Sequence, residues 1–260
     1  MTTEPMPNAY PAMLVEPGHV EPVPRRVRAY LGGKVVVDTT RALYVWEWAG
    51  YPQFYIPEGD VNAAALSEDG TDHSDAQGTF RSQALHVGTT TVEQAGRHYT
   101  ASDLPGVAGT IHLRWEAMDA WFEEDEQVFV HARNPYTRVD ALRSSRRVRV
   151  EVDGVVVAES DATVMVFETG LPTRYYFDHS ALNPAALTPS STVTACPYKG
   201  VTSSYWSVTA RGTVHNDLAW SYAFPTRQLL PIAGLIAFYN EKVDVFLAGQ
   251  RQPRPSSPFS

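Results

Sequence analysis

The feature that most limits what this chain can fold into is an internal repeat. RVRAYLGGKVVVDTTRALYVWE begins at Arg26 and RVRVEVDGVVVAESDATVMVFE begins at Arg147, a constant offset of 121 residues. The register survives the next turn, where NAAAL from Asn62 falls on NPAAL from Asn183. Across positions 26–66, 13 of 41 residues match their counterparts. Self-similarity at one fixed period is the signature of duplication. The chain therefore reads as two diverged copies of one domain, and 260 residues suffice for each copy to bury its own core.

The pattern inside each copy is that of strands. Val148, Val150 and Val152 alternate, an Asp153-Gly154 turn follows, and a second strand returns, which is the hairpin pattern. A third strand ends at Glu47 in the first copy and at Glu168 in the second. A Gly/Pro turn then leads into an aromatic strand, Phe54-Tyr55-Ile56 or Tyr175-Tyr176-Phe177. The second copy continues with predicted strands near 192–196, 204–210 and 213–216. A short helix is expected in LLPIAGLIAFYN, ending near Tyr239, and KVDVFLAG closes the copy as a strand. In the first copy AMDAWFEEDE reads as helix-like, TRVDAL as the closing strand, and the polar stretch from Ser67 to Thr79 as an exposed loop. The resulting divisions are a proline-rich extended arm over 1–24, a first repeat over 25–143, a second over 144–250 and a disordered tail over 251–260. The two repeats are expected to pack on one another.

Composition narrows the function. A hydrophobic fraction of 43% with 19% charged residues suits a soluble globular protein, expected in the cytoplasm. The net charge of −8 argues against a nucleic-acid partner, which requires a basic face. Runs of about 18 apolar residues, the length that spans a bilayer, do not occur, so a membrane partner is not expected. One cysteine, Cys196, excludes an internal disulfide and a multi-cysteine zinc site, and the eight histidines lack paired ligand spacing. No metal and no cofactor is expected.

The second copy holds three dense polar-aromatic clusters: ETGLPTRYYF from Glu168, CPYKGVTSSYW from Cys196 and HNDLAWSYAFP from His215. Together with IAGLIAFYNEKVDVF they resemble the bacterial family catalogued as domain of unknown function 427, with the first copy a weaker member. The resemblance implies a compact, mainly-β domain of the β-tent type, like methionine sulfoxide reductase B, in two tandem copies. β-tent domains often bind zinc through paired CxxC motifs, which this chain lacks. The family has also carried a nucleotidyltransferase label. A Gly-Ser pair followed by paired metal-binding aspartates does not occur here, so that activity is a lesser alternative.

Lys199 sits in a Pro-Tyr-Lys-Gly turn beside Tyr198 and near Tyr205 and Trp206. Among aromatics it could hold an anionic group, or lose its proton and act as a base or Schiff-base nucleophile. A surface lysine covering a ring with its stem is the plainer reading. Glu168 and Arg174 bracket one turn and would either clamp a polar ligand or form a structural ion pair. Glu168 and Lys199 are the candidate catalytic residues. Tyr175, Tyr205, Trp206, Trp220, Tyr222 and Tyr239 would line an aromatic cavity, or serve as core. Asp217 joins Arg174 and Tyr198 as a polar contact, and His215, two residues before it, suggests a His–Asp relay or a solvated strand edge. Cys196 reads as structural. CPYKG has no counterpart in the first copy, where FRSQALHV stands from Phe80 to Val87, and Gln53 replaces Arg174. The first copy is therefore expected to be structural or regulatory. These residues favour a small-molecule site in the second copy. A non-catalytic module that grips a protein or peptide is the alternative.

Overall fold

The structure, a computed structural model, describes residues 15–257 and 259–260. It is mainly β, and its two compact units divide between Pro135 and Tyr136. Each unit contains one large and one small antiparallel sheet, and the second adds a two-stranded sheet of its own.

The large sheet of the first unit runs Val20–Pro22, Leu43–Val45, Gln53–Pro57, Thr110–Leu113, Thr90–Ala101, Gly78–Val87 and Leu66–Glu68, with His73–Asp75 also paired to Gly78–Val87. That of the second unit runs Val139–Ser144, Thr163–Glu168, Arg174–Phe177, Ile236–Phe238, Thr213–Ser221, Ser204–Ala210 and Leu187–Ser190. The small sheets also correspond. Ala120–Glu123 pairs Val27–Leu31, which pairs Lys34–Thr39, and Asp244–Leu247 pairs Val148–Val152, which pairs Val155–Ser160. The spatial order of strands is the same in both units, as a duplicated domain requires.

Alternation explains why these segments are strands. Val27–Leu31 and Val148–Val152 both bury every second residue. The inward residues of the two sheets meet in one cluster per unit: Val27, Ala29 and Leu31 with Phe54, Ile56 and Trp121, and Val148, Val150 and Val152 with Phe177, Phe238 and Val245. Each such large side chain contributes about 1.5–3 kcal/mol when removed from water. The hairpin turns need positive φ at both central positions. Gly32-Gly33 (57° and 71°) and Asp153-Gly154 (48° and 75°) provide it.

Several local expectations are corrected. AMDAWFEEDE is not helical beyond a single turn at Trp115–Ala117; it forms the strands Ala120–Glu123 and Glu126–Val128, because Trp121 and Glu123 point inward with period two. The stretch from Ser67 to Thr79 is a paired edge, with strands Leu66–Glu68 and His73–Asp75, and not an open loop. In LLPIAGLIAFYN the helical turn ends early: Arg227–Ile232 is a 3-10 turn, and the chain then becomes the strand Ile236–Phe238. TRVDAL closes nothing in the first repeat. Val139–Ser144 pairs with Thr163–Glu168 in the second unit, as Val20–Pro22 pairs with Leu43–Val45 in the first, so the boundary near Arg143 moves upstream.

The ends differ as well. The arm over 1–24 lies outside the described residues up to residue 14, but Val20–Pro22 is a sheet strand. The described part of 251–260 is docked in place of being a loose tail: Gln250–Arg251 pairs with Phe246 and Leu247, and the Gln252 N–H donates to the Val245 carbonyl at 2.7 Å. Proline-rich chain is extended whether bound or free, so composition alone does not separate the two.

Candidate functional site

The large sheet of each repeat has a second face, turned away from the core between the sheets. Strand alternation places Arg174 and Tyr176 on this outer face, and Tyr175 and Phe177 in the core. Tyr176, Tyr205, Trp220 and Tyr222 gather there with Tyr239.

A small hairpin, Ala195–Cys196 paired with Gly200–Val201, carries Lys199 onto that face. Lys199 is 7% exposed and its Nζ makes a short ion pair with Glu168 Oε2, whose side chain is equally buried. Cys196 Sγ lies 3.9 Å from the same nitrogen. Burial disfavours the Lys199 charge, but Cys196 and Glu168 beside it outweigh that and hold the pKa above its ordinary value. The surroundings thus keep the ammonium protonated, against the reading of Lys199 as a base or Schiff-base nucleophile. Burial also pushes the Cys196 thiol up, and pushes the Tyr176 hydroxyl up to about 12. Both stay neutral donors.

Arg174 does not pair with Glu168. Its two terminal nitrogens donate to Glu241 at 2.6 and 2.7 Å, and its guanidinium lies 5.7–5.8 Å from the Trp220, Tyr239 and Phe259 rings. Ser257 donates to the same carboxylate. Burial works against ionised Glu241, but Arg174 and Ser257 more than offset it and lower its pKa. Glu241 and the end of the chain were not among the expected site residues. Glu241 has its partner, Arg174, 67 positions away, and no local pattern marks it.

The remaining residues separate. The Tyr205 hydroxyl meets that of Tyr239 at 2.9 Å and that of Thr194 at 3.0 Å, on the outer face. Tyr198 is half-buried in the Lys199 hairpin, where its carbonyl accepts from Thr226. Tyr175 and Trp206 belong to the inner core side, and Tyr175 borders a cavity of about 130 Å³ with Thr173, Asn240 and Gln252. Asp217 accepts from Thr192 on a surface bulge. His215 pairs with Asp153 at 2.8 Å, so the His215–Asp217 relay does not form.

The first repeat carries its own charged cluster at the corresponding place. The Glu47 carboxylate, the counterpart of Glu168, accepts from the Tyr55 hydroxyl at 2.8 Å and from Arg97 at 2.7 Å. Arg97 also reaches Asp75 at 2.6 Å, and Asp75 accepts from Tyr99 at 2.8 Å. Burial opposes the Glu47 charge, but His112 and Arg97 outweigh it and leave its pKa lowered. The cation is therefore not lost in this copy; it comes from another strand. His112 faces both Tyr55 and Arg97 across the sheet, where Ala237 faces Tyr176 and Trp220. Arg97 thus stands in the place of Trp220.

His112 is 7% exposed and buried among these groups, which pushes its pKa down to about 4. Its Nδ1 lies 2.8 Å from Arg97 Nη2. A guanidinium can only donate, so Nδ1 accepts and the proton of the neutral ring sits on Nε2. That buried Nε2 has no hydrogen-bond partner. The ring borders a cavity of about 220 Å³, shared with Glu47, Tyr51, Gln53, Trp115 and His131.

Among the described residues, no group of three or more His, Cys, Asp or Glu side chains is placed to hold a metal ion, and no helix is long and apolar enough to cross a membrane. The family model described as "Domain of unknown function (DUF427)" matches the chain twice, over residues 19–124 and 140–249. Comparison with curated proteins gives no match.

Proposed function

The chain belongs to the family of domain of unknown function 427, in two tandem copies, and from that premise we propose that it binds a small polar molecule on the outer face of its second repeat. The observation that carries this reading is the buried Lys199–Glu168 pair among Tyr176, Tyr205, Trp220 and Tyr222. An ion pair taken out of water gains little over apolar residues of the same size, so stability alone is weak grounds for keeping one. A ligand acceptor that takes over a Lys199 proton gives the pair a purpose. The protonated ammonium acts as donor, Glu168 as acceptor, and the rings as walls.

The test is native mass spectrometry of freshly purified protein. The expected result is a retained small molecule in the wild type, lost in the Lys199→Met/Glu168→Leu double variant while the thermal midpoint is kept. A chain that emerges bare, and gains stability from no member of a metabolite panel, would count against ligand binding.

A second reading rests on a separate observation. Phe224 is 91% exposed and Leu230 59% exposed, and both belong to the segment that runs past the Lys199 hairpin. Exposed apolar groups of this kind suit a protein or peptide partner. Recovery of one stoichiometric protein in a pull-down, lost in Phe224→Ser, would favour that reading.

A further inference from the structure

In each repeat the chain leaves the small sheet and folds back along its own domain, but the two return segments are held very differently. Gln252 pairs with Val245 through its N–H as Val128 pairs with Trp121, and Val245 and Trp121 face equivalent residues, Val150 and Ala29. Strand register therefore matches 129–135 to 253–259. In the first repeat the segment is sunk into the fold. Ala132 is a core residue, and buried Asn134 donates to the Gly50 carbonyl at 3.1 Å. In the second repeat residues 253, 254, 256 and 259 are exposed. Pro253 and Pro255 bound the cavity of about 130 Å³ with Tyr175, Asn240 and Val243, a gap that close-packed interiors do not leave. Side chains fasten this strap: Arg254 on Asp244 at 3.2 Å, Ser257 on Glu241 and Phe259 on Arg174. A segment held this way opens at far less cost than a core strand.

The surface under the strap has a specific chemistry. Arg174 neutralises Glu241 with two hydrogen bonds, and Glu241 Oε1 still accepts from the Ser257 hydroxyl. A carboxylate whose charge is already met favours a neutral hydroxyl donor over a second cation. The Phe259 ring lies 5.7 Å from the guanidinium and 6.2 Å from the Tyr239 ring. A guanidinium face beside a phenol ring favours an aromatic ring. The strap itself shows that a hydroxyl two residues before an aromatic ring reaches both places.

We propose that the Arg174–Glu241–Tyr239 surface is a peptide-docking site, which the chain's own Ser257 and Phe259 occupy until a partner segment of the same pattern, a hydroxyl followed two residues later by an aromatic ring, displaces them. The hydroxyl of the incoming segment donates to Glu241 and its ring covers Arg174 and Tyr239. The first repeat has no such exchange, because its return segment is locked by Ala132 and Asn134. The site stands apart from the Lys199–Glu168 pair, and its test requires no ligand there.

The probe is a fluorescein-labelled peptide with the sequence of residues 251–260, followed by fluorescence polarisation. The full chain carrying Ser257→Ala and Phe259→Ala is expected to bind it about tenfold more tightly than the wild type, whose tethered segment competes at high effective concentration. Peptides carrying Ser257→Ala or Phe259→Ala should each bind the opened chain about tenfold more weakly, the value of one lost hydrogen bond to a charged group in the first case. If the double variant fails to fold, a chain ending at Gln252 takes its place. A peptide that does not bind the opened chain, binds the wild type equally well, or binds unchanged without its hydroxyl and ring would overturn the proposal.

Discussion

Lys199 and Glu168 are both buried, and each is the other's neutralising partner. Removing one leaves the other buried and unmatched, a loss of about 3–5 kcal/mol, whereas removing both charges together is often close to neutral. Lys199→Ala should therefore lower stability by several kcal/mol in urea unfolding, and Lys199→Met/Glu168→Leu should restore most of it. A single variant no less stable than the wild type would mean the pair is solvated. His112 supports a second prediction at this scale. Its pKa is lowered in the fold to about 4 from an ordinary 6.5, so the unfolded chain binds more protons between those values. The stability it contributes is complete above pH 6.5 and is lost as pH falls towards 4. The thermal midpoint should drop across that window, and His112→Phe should flatten the drop. Both the acid and the lysine could be read from the sequence, because a glutamate recurs at the same strand end and the lysine stands in a turn among rings. Their pairing could not. Arg174 takes Glu241 in place of Glu168, a choice set by a strand and a turn 67 residues apart.

Elements position these side chains through a few close approaches. Asp75 shows how. One carboxylate oxygen accepts from the backbone N–H groups of Gln77 and Gly78 and so holds the turn of its hairpin. The other receives Arg97 and Tyr99. Gly78 has φ 146°, and a Cβ there would come within 2.2 Å of the Ala101 carbonyl. Gly78→Ala must therefore shift the hairpin, at a cost of about 1–3 kcal/mol, and draw Asp75 away from Arg97. The expected readout is a lower melting temperature together with faster amide exchange in His73–Asp75, and unchanged exchange there would show that Asp75 is held by something else. This hairpin also shows what the sequence hides. Ser67 to Thr79 is polar and acidic, the mark of a loop, yet its charges are spent on a turn and on a neighbouring strand. The hairpins at Gly32-Gly33 and Asp153-Gly154 were legible because the turn chemistry is local. AMDAWFEEDE was not, since Trp121 and Glu123 bury with period two inside a run whose composition also suits a helix.

At the level of the whole molecule, the duplication fixed a common frame and then let the two outer faces diverge. The strand order is shared, while the cation beside the conserved-position glutamate is a hairpin lysine in one copy and a strand arginine in the other. A comparison of aligned residues alone, Gln53 against Arg174, suggests that the first copy has lost its charge. Strand register shows that it replaced it with an arginine from another strand. Because each unit has two sheets and a core made from its own residues, neither needs the other to bury its apolar strands. Fragments spanning 13–135 and 136–260, divided between Pro135 and Tyr136, should each fold alone with a cooperative thermal transition by circular dichroism. The cut matters physically: starting the second fragment at 147 would delete Val139–Ser144, expose the edge of Thr163–Glu168, and free the strand that ends at Glu168. The shorter fragment should therefore aggregate or melt lower than the longer one. If both second-repeat fragments behave alike, that edge strand contributes nothing to the frame that holds Glu168 against Lys199.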